Sequence, residues 1–407
     1  MDRRKTAAAL AFAGLCGHAF FLPVSIAGMQ IALAVAAAGV LLDPPRPLRT
    51  ALDLPALAFV AVAIASDLFS PVGPPPLAEA TLWRSLLGFF VVVHALRLLS
   101  RRFPQLDARV WLIACAAVGL FAASLVGLVQ YRTGVDPVHL LGLREDPALV
   151  QAPGVPGRYG AMGFFTSRLT FGHDAVLLLS LVVGAIVSGA LPRRIALPAA
   201  AASITALAAV AVTFDRAAYL ALVVAAVALV LRSRQLRLGA LLGGLGALAL
   251  LHPGVRARLL SAFSGAANSD RVFIWARARE IIADHPWRGI GFANYPHVCG
   301  AYYDRVDPHF FMRTWAHNLE LSTLAELGPL GLLALFWLLL AAFRLVLRSA
   351  SPCAPGGLAA LLAFLTIAQF HDVIYDTKVM YALWFALALA AGPARPASPG
   401  SAQARAG

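Results

Sequence analysis

The chain has 407 residues, of which 60% are hydrophobic and only 13% charged, with a mean hydropathy of +0.77 and a formal net charge of +13. Soluble proteins carry roughly 25% charged residues, so a soluble fold is excluded. Disorder needs less apolar surface and a disulfide scaffold more than four cysteines, which leaves an all-α polytopic membrane protein.

A membrane span needs ~20 predominantly apolar residues. Twelve runs are candidates, at roughly 6–21, 24–42, 54–69, 82–99, 110–130, 171–191, 195–214, 217–231, 236–251, 319–343, 358–370 and 379–391. The first follows Arg3-Arg4-Lys5 and reads as a signal-anchor helix, because eleven further spans come after it. With that basic triplet inside and alternation thereafter, Arg46, Arg49, Arg97, Arg101, Arg102, Arg193, Arg194, Arg232, Arg234, Arg237, Arg344, Arg348 and Arg395 share the cytoplasmic side. The chain then divides into helices 1–5 (1–130), a periplasmic loop (131–170), helices 6–9 (171–251), a large periplasmic loop with an amphipathic helix (252–318), helices 10–12 (319–391) and a cytoplasmic tail (392–407). Cys16 and Cys115 lie in apolar runs, while Cys299 and Cys353 fall on opposite sides, so no disulfide is expected.

The loop 252–318 carries Arg256, Arg258, Arg271, Arg277, Arg279, Arg288, Arg305 and Arg313 where the positive-inside pattern places few cations. Such a cluster is either a solvated basic surface or an outward anion-binding cavity, for which the guanidinium fork suits phosphate. No Gly-rich phosphate loop or nucleotide fingerprint occurs, and Gly289-Ile290-Gly291 alone is a very weak cradle. His285, His297, His309 and His317 crowd this loop without zinc-site spacing, so no metal site is expected.

Three positions stand at outer membrane edges. Arg216 follows Thr213-Phe214-Asp215 where a span begins; it is either a snorkelling cation partnered by Asp215 or a phosphate ligand. Arg271 opens an amphipathic helix in which Val272, Trp275, Arg279 and Ile282 or Ala283 share a face, with Asn268-Ser269-Asp270 as N-cap. A cation in the first turn opposes the helix dipole, which favours a ligand-facing role. His317 precedes Asn318 and the last long span. Counted back from Arg344 at ~1.5 Å per residue, it sits at the outer surface, where an imidazole is either structural or a general base. Glu326, ~13 Å deeper on the same helix, is an intramembrane carboxylate beside Gly328-Pro329, and is either functional or a kink partner.

Four stretches in order resemble the O-antigen ligase and polymerase superfamily of membrane glycosyltransferases. They are Gly163-Phe164-Phe165-Thr166-Ser167-Arg168, Thr213-Phe214-Asp215-Arg216-Ala217 (with Asp where the family's Ser is usual), Arg271 to Asn294 with Trp275 and His285-Pro286-Trp287-Arg288-Gly289-Ile290-Gly291, and His317-Asn318 with Glu326-Leu327-Gly328 and Gly331. The resemblance covers roughly 157–335. It implies a GT-C-like all-α fold in the bacterial inner membrane, N-terminus cytoplasmic. It also implies metal-independent inverting transfer of a glycan from undecaprenyl pyrophosphate, with the ligase branch favoured and lipid A–core as acceptor. By carry-over, Arg216 and Arg271 hold the pyrophosphate and His317 activates the acceptor hydroxyl. Arg158, Arg168, Trp275, Arg288, Asn318 and Glu326 surround the substrates. No cofactor and no nucleic acid are expected; the partners are the lipid-linked donor, the acceptor and membrane lipids. An O-antigen polymerase or a protein O-oligosaccharyltransferase shares the donor, and a polysaccharide-lipid transporter is the rival of another class.

Overall fold

The computed structural model describes residues 3–391 except 48, 81, 146–148, 266–267 and 311–314; the expected tail with Arg395, and Arg313, lie outside these. In chain order the α-helices are α1 (Arg3–Phe21), α2 (Ile26–Leu42), α3 (Asp53–Leu68), α4 (Leu77–Ala80), α5 (Leu86–Arg102), α6 (Ala108–Thr133), α7 (Pro137–Leu140), α8 (Arg168–Val187) and α9 (Arg193–Ala211). They continue with α10 (Arg216–Ser233), α11 (Leu236–Leu250), α12 (Pro253–Leu260), α13 (Ser269–Asp284), α14 (Tyr295–Tyr303), α15 (Leu319–Arg348), α16 (Ala354–Ala368) and α17 (Thr377–Ala391).

All twelve apolar runs are helical, but among the described residues six helices are long and apolar enough to cross a membrane: Leu82–Arg102, α6, α8, α9, α10 and α15. A seventh is available if Gly239–Leu250 and Pro253–Phe263, which meet at 93°, act as one broken span. Six of the twelve expected spans therefore meet the requirement. The 15 to 17 residues of α2, α16 and α17 reach only ~22–26 Å, against ~30 Å of hydrocarbon.

The core lies around α8, α16 and α17, where nearly every side chain of α17 from Lys378 to Ala390 is buried. Small residues allow the backbones to meet: a Cβ on Gly184 of α8 would lie 2.3 Å from Gly356 Cα of α16. Among the described residues the four cysteines form no disulfide.

α15 is broken at Gly328-Pro329, where the sequence allows a kink. Gly328 has φ 66° and ψ −169°, and Pro329 follows it, so the helix breaks there. Proline has no N–H to return to the carbonyl four residues back. The carbonyl so freed, Ala325 O, accepts from Ile290 N at 3.0 Å, and Glu326 O accepts from Gly291 N at 2.9 Å. Gly289-Ile290-Gly291 is thus no phosphate cradle but a backbone splice onto the broken helix. Gly289 takes φ 66° in it, and a Cβ there would sit 2.2 Å from Glu326 O. The break also removes the basis for measuring His317's depth along one straight rod.

Candidate active site

The turn between α9 and α10 carries Arg216. Phe214 holds a left-handed φ of 54° and Asp215 caps α10, its Oδ1 accepting from Ala217 N at 3.0 Å. A non-glycine residue in that region needs support from its surroundings. Arg168 provides it, donating to Thr213 O at 2.6 Å and Phe214 O at 2.9 Å, and Arg258 donates to Phe214 O at 3.1 Å. Arg168, expected among substrate ligands, is thus engaged with the turn's carbonyls. Arg216 itself donates to Ser261 O at 3.2 Å.

Arg271 arrives from α13. The buried side of this helix is Ile274, Ala278 and Ile281, while Val272 is 61% exposed, so the helix is rotated from the face that the sequence suggests. The loop cluster of Tyr295, Tyr303 and Phe310 covers that buried side and decides the rotation. Arg271 stands three residues before Ile274, on the inward side, with its guanidinium 5.4 Å from the Phe370 ring. Burial and the charges of Arg216 and Arg258 depress its pKa. Asn268 does not cap the helix; its amide donates to Ala262 O and Ser264 O.

His317 also has a left-handed backbone, φ 53°, ahead of Asn318, which caps α15 by accepting from Leu321 N at 2.9 Å. The His317 N–H donates to Asp372 Oδ2, and its Nδ1 lies 3.8 Å from the same oxygen. The Ser322 hydroxyl donates to Asp372 Oδ1. Burial, more than the Arg271 charge, lowers the His317 imidazole to about 4, so it is neutral near pH 7. Burial pushes the Asp372 carboxyl up to about 7, against the hydrogen bonds from Ser322 and the backbone.

Behind His317 stands a cluster that the sequence did not reveal. The rings of His317 and His371 are 6.0 Å apart, and those of His371 and His173 are 4.6 Å apart. His173 Nε2 lies 2.8 Å from Asp215 Oδ2. Among the described residues, His173, Asp215 and His371 are one group that could hold a metal ion. Short spacings could not disclose it, because its members come from α8, from the α9–α10 turn and from the segment after α16. The signal that was available is the pair of ionisable dipeptides in apolar surroundings, His173-Asp174 and His371-Asp372.

The other candidates disperse. Glu326 is fully buried and accepts from Ala293 N and Tyr295 N, both at 2.9 Å, and from the Tyr375 hydroxyl, so it secures the 293–295 segment. Arg158 lies over the Tyr131 ring and donates to Arg132 O. Trp275 is half-buried with its indole nitrogen unpaired, Arg288 is exposed, and Asn318 also reaches Gln369 O at 3.3 Å. Arg216, Arg271 and His317 remain grouped, each charge acting on the next.

Residues 201–336 match the family model described as O-antigen ligase. The matched stretch contains Asp215, Arg216, Arg271, His317 and Glu326, and leaves His173, His371 and Asp372 outside it. No curated protein matches the chain.

Proposed function

We propose that this chain of the O-antigen ligase and polymerase superfamily transfers a glycan from undecaprenyl pyrophosphate to the sugar core of lipid A, at the periplasmic face of the inner membrane. The observation that carries the reading is the gathering of two arginines with a neutral imidazole backed by a carboxyl group. Pyrophosphate is already a good leaving group, so the protein has to position the attack and stabilise the charge that develops on the departing oxygens. The forks of Arg216 and Arg271 suit that task. The acceptor hydroxyl attacks the anomeric carbon as its proton passes to His317, while the bond to the pyrophosphate oxygen breaks with inversion. Asp372 then faces the imidazolium and steadies it. Arg168 acts at one remove, by holding the turn that presents Arg216. Two guanidinium groups at the leaving group leave no step that calls for magnesium or manganese.

A deletion strain tests the assignment through its lipopolysaccharide ladder. Core lacking all O-antigen supports the ligase. Core with a single repeat unit indicates a polymerase, and an unchanged ladder places the enzyme in another glycan pathway. His317→Gln in purified protein tests the base: the amide keeps a hydrogen bond but takes no proton, so transfer should drop by about 10²–10⁴. Near-normal transfer would reduce His317 to an orienting role.

A further inference from the structure

We infer that His173, Asp215 and His371 form a binding site for a borderline transition-metal ion of the zinc class. The ion would tie the Arg216 turn to the His371–Asp372 segment. The three side chains offer ligand atoms that all lie within 4.8 Å of one another. Their side-chain exposures are 3%, 4% and 13%, so bulk water does not compete freely for them.

The donor atoms sit close together. His173 Nε2 and Asp215 Oδ2 are 2.8 Å apart. His371 Nε2 stands 4.0 Å from the other carboxylate oxygen. Two atoms bound tetrahedrally to one zinc at ~2.0–2.1 Å are ~3.3 Å apart, so His173 Nε2 and Asp215 Oδ2 need part by only about half an ångström to share an ion. Asp215 Oδ1 is occupied by the helix cap, which leaves Oδ2 for a ligand.

The donor set selects the ion. Two imidazoles and one carboxylate suit zinc, cobalt, nickel or copper, whereas magnesium and calcium take oxygen-rich sites. The Arg271 charge acts on His371 and opposes a dication, so directional nitrogen bonds rather than net charge must supply the affinity. Three protein ligands leave a fourth position for water. The ion would cross-link α8, the α9–α10 turn and the segment between α16 and α17. It would fix the distance from Arg216 to the His317–Asp372 pair without entering the transfer step, so the inference stands whether or not the chain is a ligase.

The test uses the full chain, purified without a histidine tag, stripped of metal and titrated with Co²⁺ and then Zn²⁺. One equivalent of Co²⁺ should bind with visible bands of four-coordinate intensity, and Zn²⁺ should displace it. Asp215→Ser should abolish the bands while the chain stays folded, because serine is itself a good helix cap. His173→Ala should abolish them as well. His285→Ala, in the α13–α14 connection, should leave them unchanged. Absence of stoichiometric binding, or binding that survives Asp215→Ser, overturns the inference.

Discussion

Asp372→Asn tests the support given to the base. The carboxylate oxygen lies 3.8 Å from His317 Nδ1; asparagine removes the charge and keeps one carbonyl oxygen, which can accept from the Ser322 hydroxyl or from the His317 backbone N–H but not from both. Unit charges at that distance attract by ~4 kcal/mol at an effective dielectric of ~20. Fully expressed in the transition state, this is about three orders of magnitude in rate. With its carboxyl at about 7, Asp372 is half-ionised at neutrality, and proton transfer to His317 is partial at the barrier, so a loss of about 10²–10³ in kcat is expected above neutrality. Below neutrality the wild type loses the charge too, and the difference should narrow. Single-turnover transfer from undecaprenyl-pyrophosphate glycan to lipid A–core, followed across pH, measures both. The donor KM should hardly change, since Asp372 faces His317 rather than the pyrophosphate. A variant with wild-type kcat above neutrality, or a loss confined to KM, would refute the reasoning.

Arg216→Ala and Arg271→Ala should each lower kcat/KM for the donor by about 10² or more, the usual cost of one preorganised donor, and Arg→Lys should be damaging because a point charge replaces a fork. Donor titrations in purified protein check this; an undiminished Lys variant would count against bidentate contact. The two shifted groups should oppose each other in stability. Asp372, raised from 3.8 to about 7, contributes stability at low pH that is lost as pH rises through about 7; His317, lowered from 6.5 to about 4, contributes stability above 6.5 that is lost as pH falls through about 4. Thermal unfolding of His317→Gln should therefore fall more steeply between about pH 5 and 7 than wild type, and superimposable profiles would contradict the assignment. Gly289→Ala puts a Cβ 2.2 Å from Glu326 O at a left-handed φ of 66°. It should cost about 2–4 kcal/mol. Gly142→Ala, at φ 67° with nothing within 4 Å, should cost only ~1–2 kcal/mol; equal losses in denaturant titrations would remove the steric argument.

How much was legible followed from range. Apolar runs are local, and all twelve became helices; whether each is long enough to span depends on packing and on breaks such as the bend before Pro253. The α13 face was misread because Val272 and Trp275 are as apolar as Ile274, and only the contact with Tyr295, Tyr303 and Phe310 decides which side is inward. Arg216, Arg271 and His317 were nameable from short motifs. Asp372 was not, since its link to His317 spans 55 positions and is made in part by a backbone N–H. Glu326 was legible only as an alternative, functional group or kink partner, because the backbone N–H groups of Ala293 and Tyr295 that it accepts from lie more than thirty positions away.

The splice at Gly328 joins loop to helix almost entirely through main-chain atoms: Ile290 N to Ala325 O, Gly291 N to Glu326 O, and the Ser66 hydroxyl within 2.8 Å of Glu326 O. Amide groups are common to every residue type, so this joint does not read the side chains that decorate it. Trp287 and Arg288 are exposed on a segment whose position is set independently of what they are. Such an arrangement lets the side chains of this loop change with the glycines left in place and the joint intact, much as a tool holder accepts different bits.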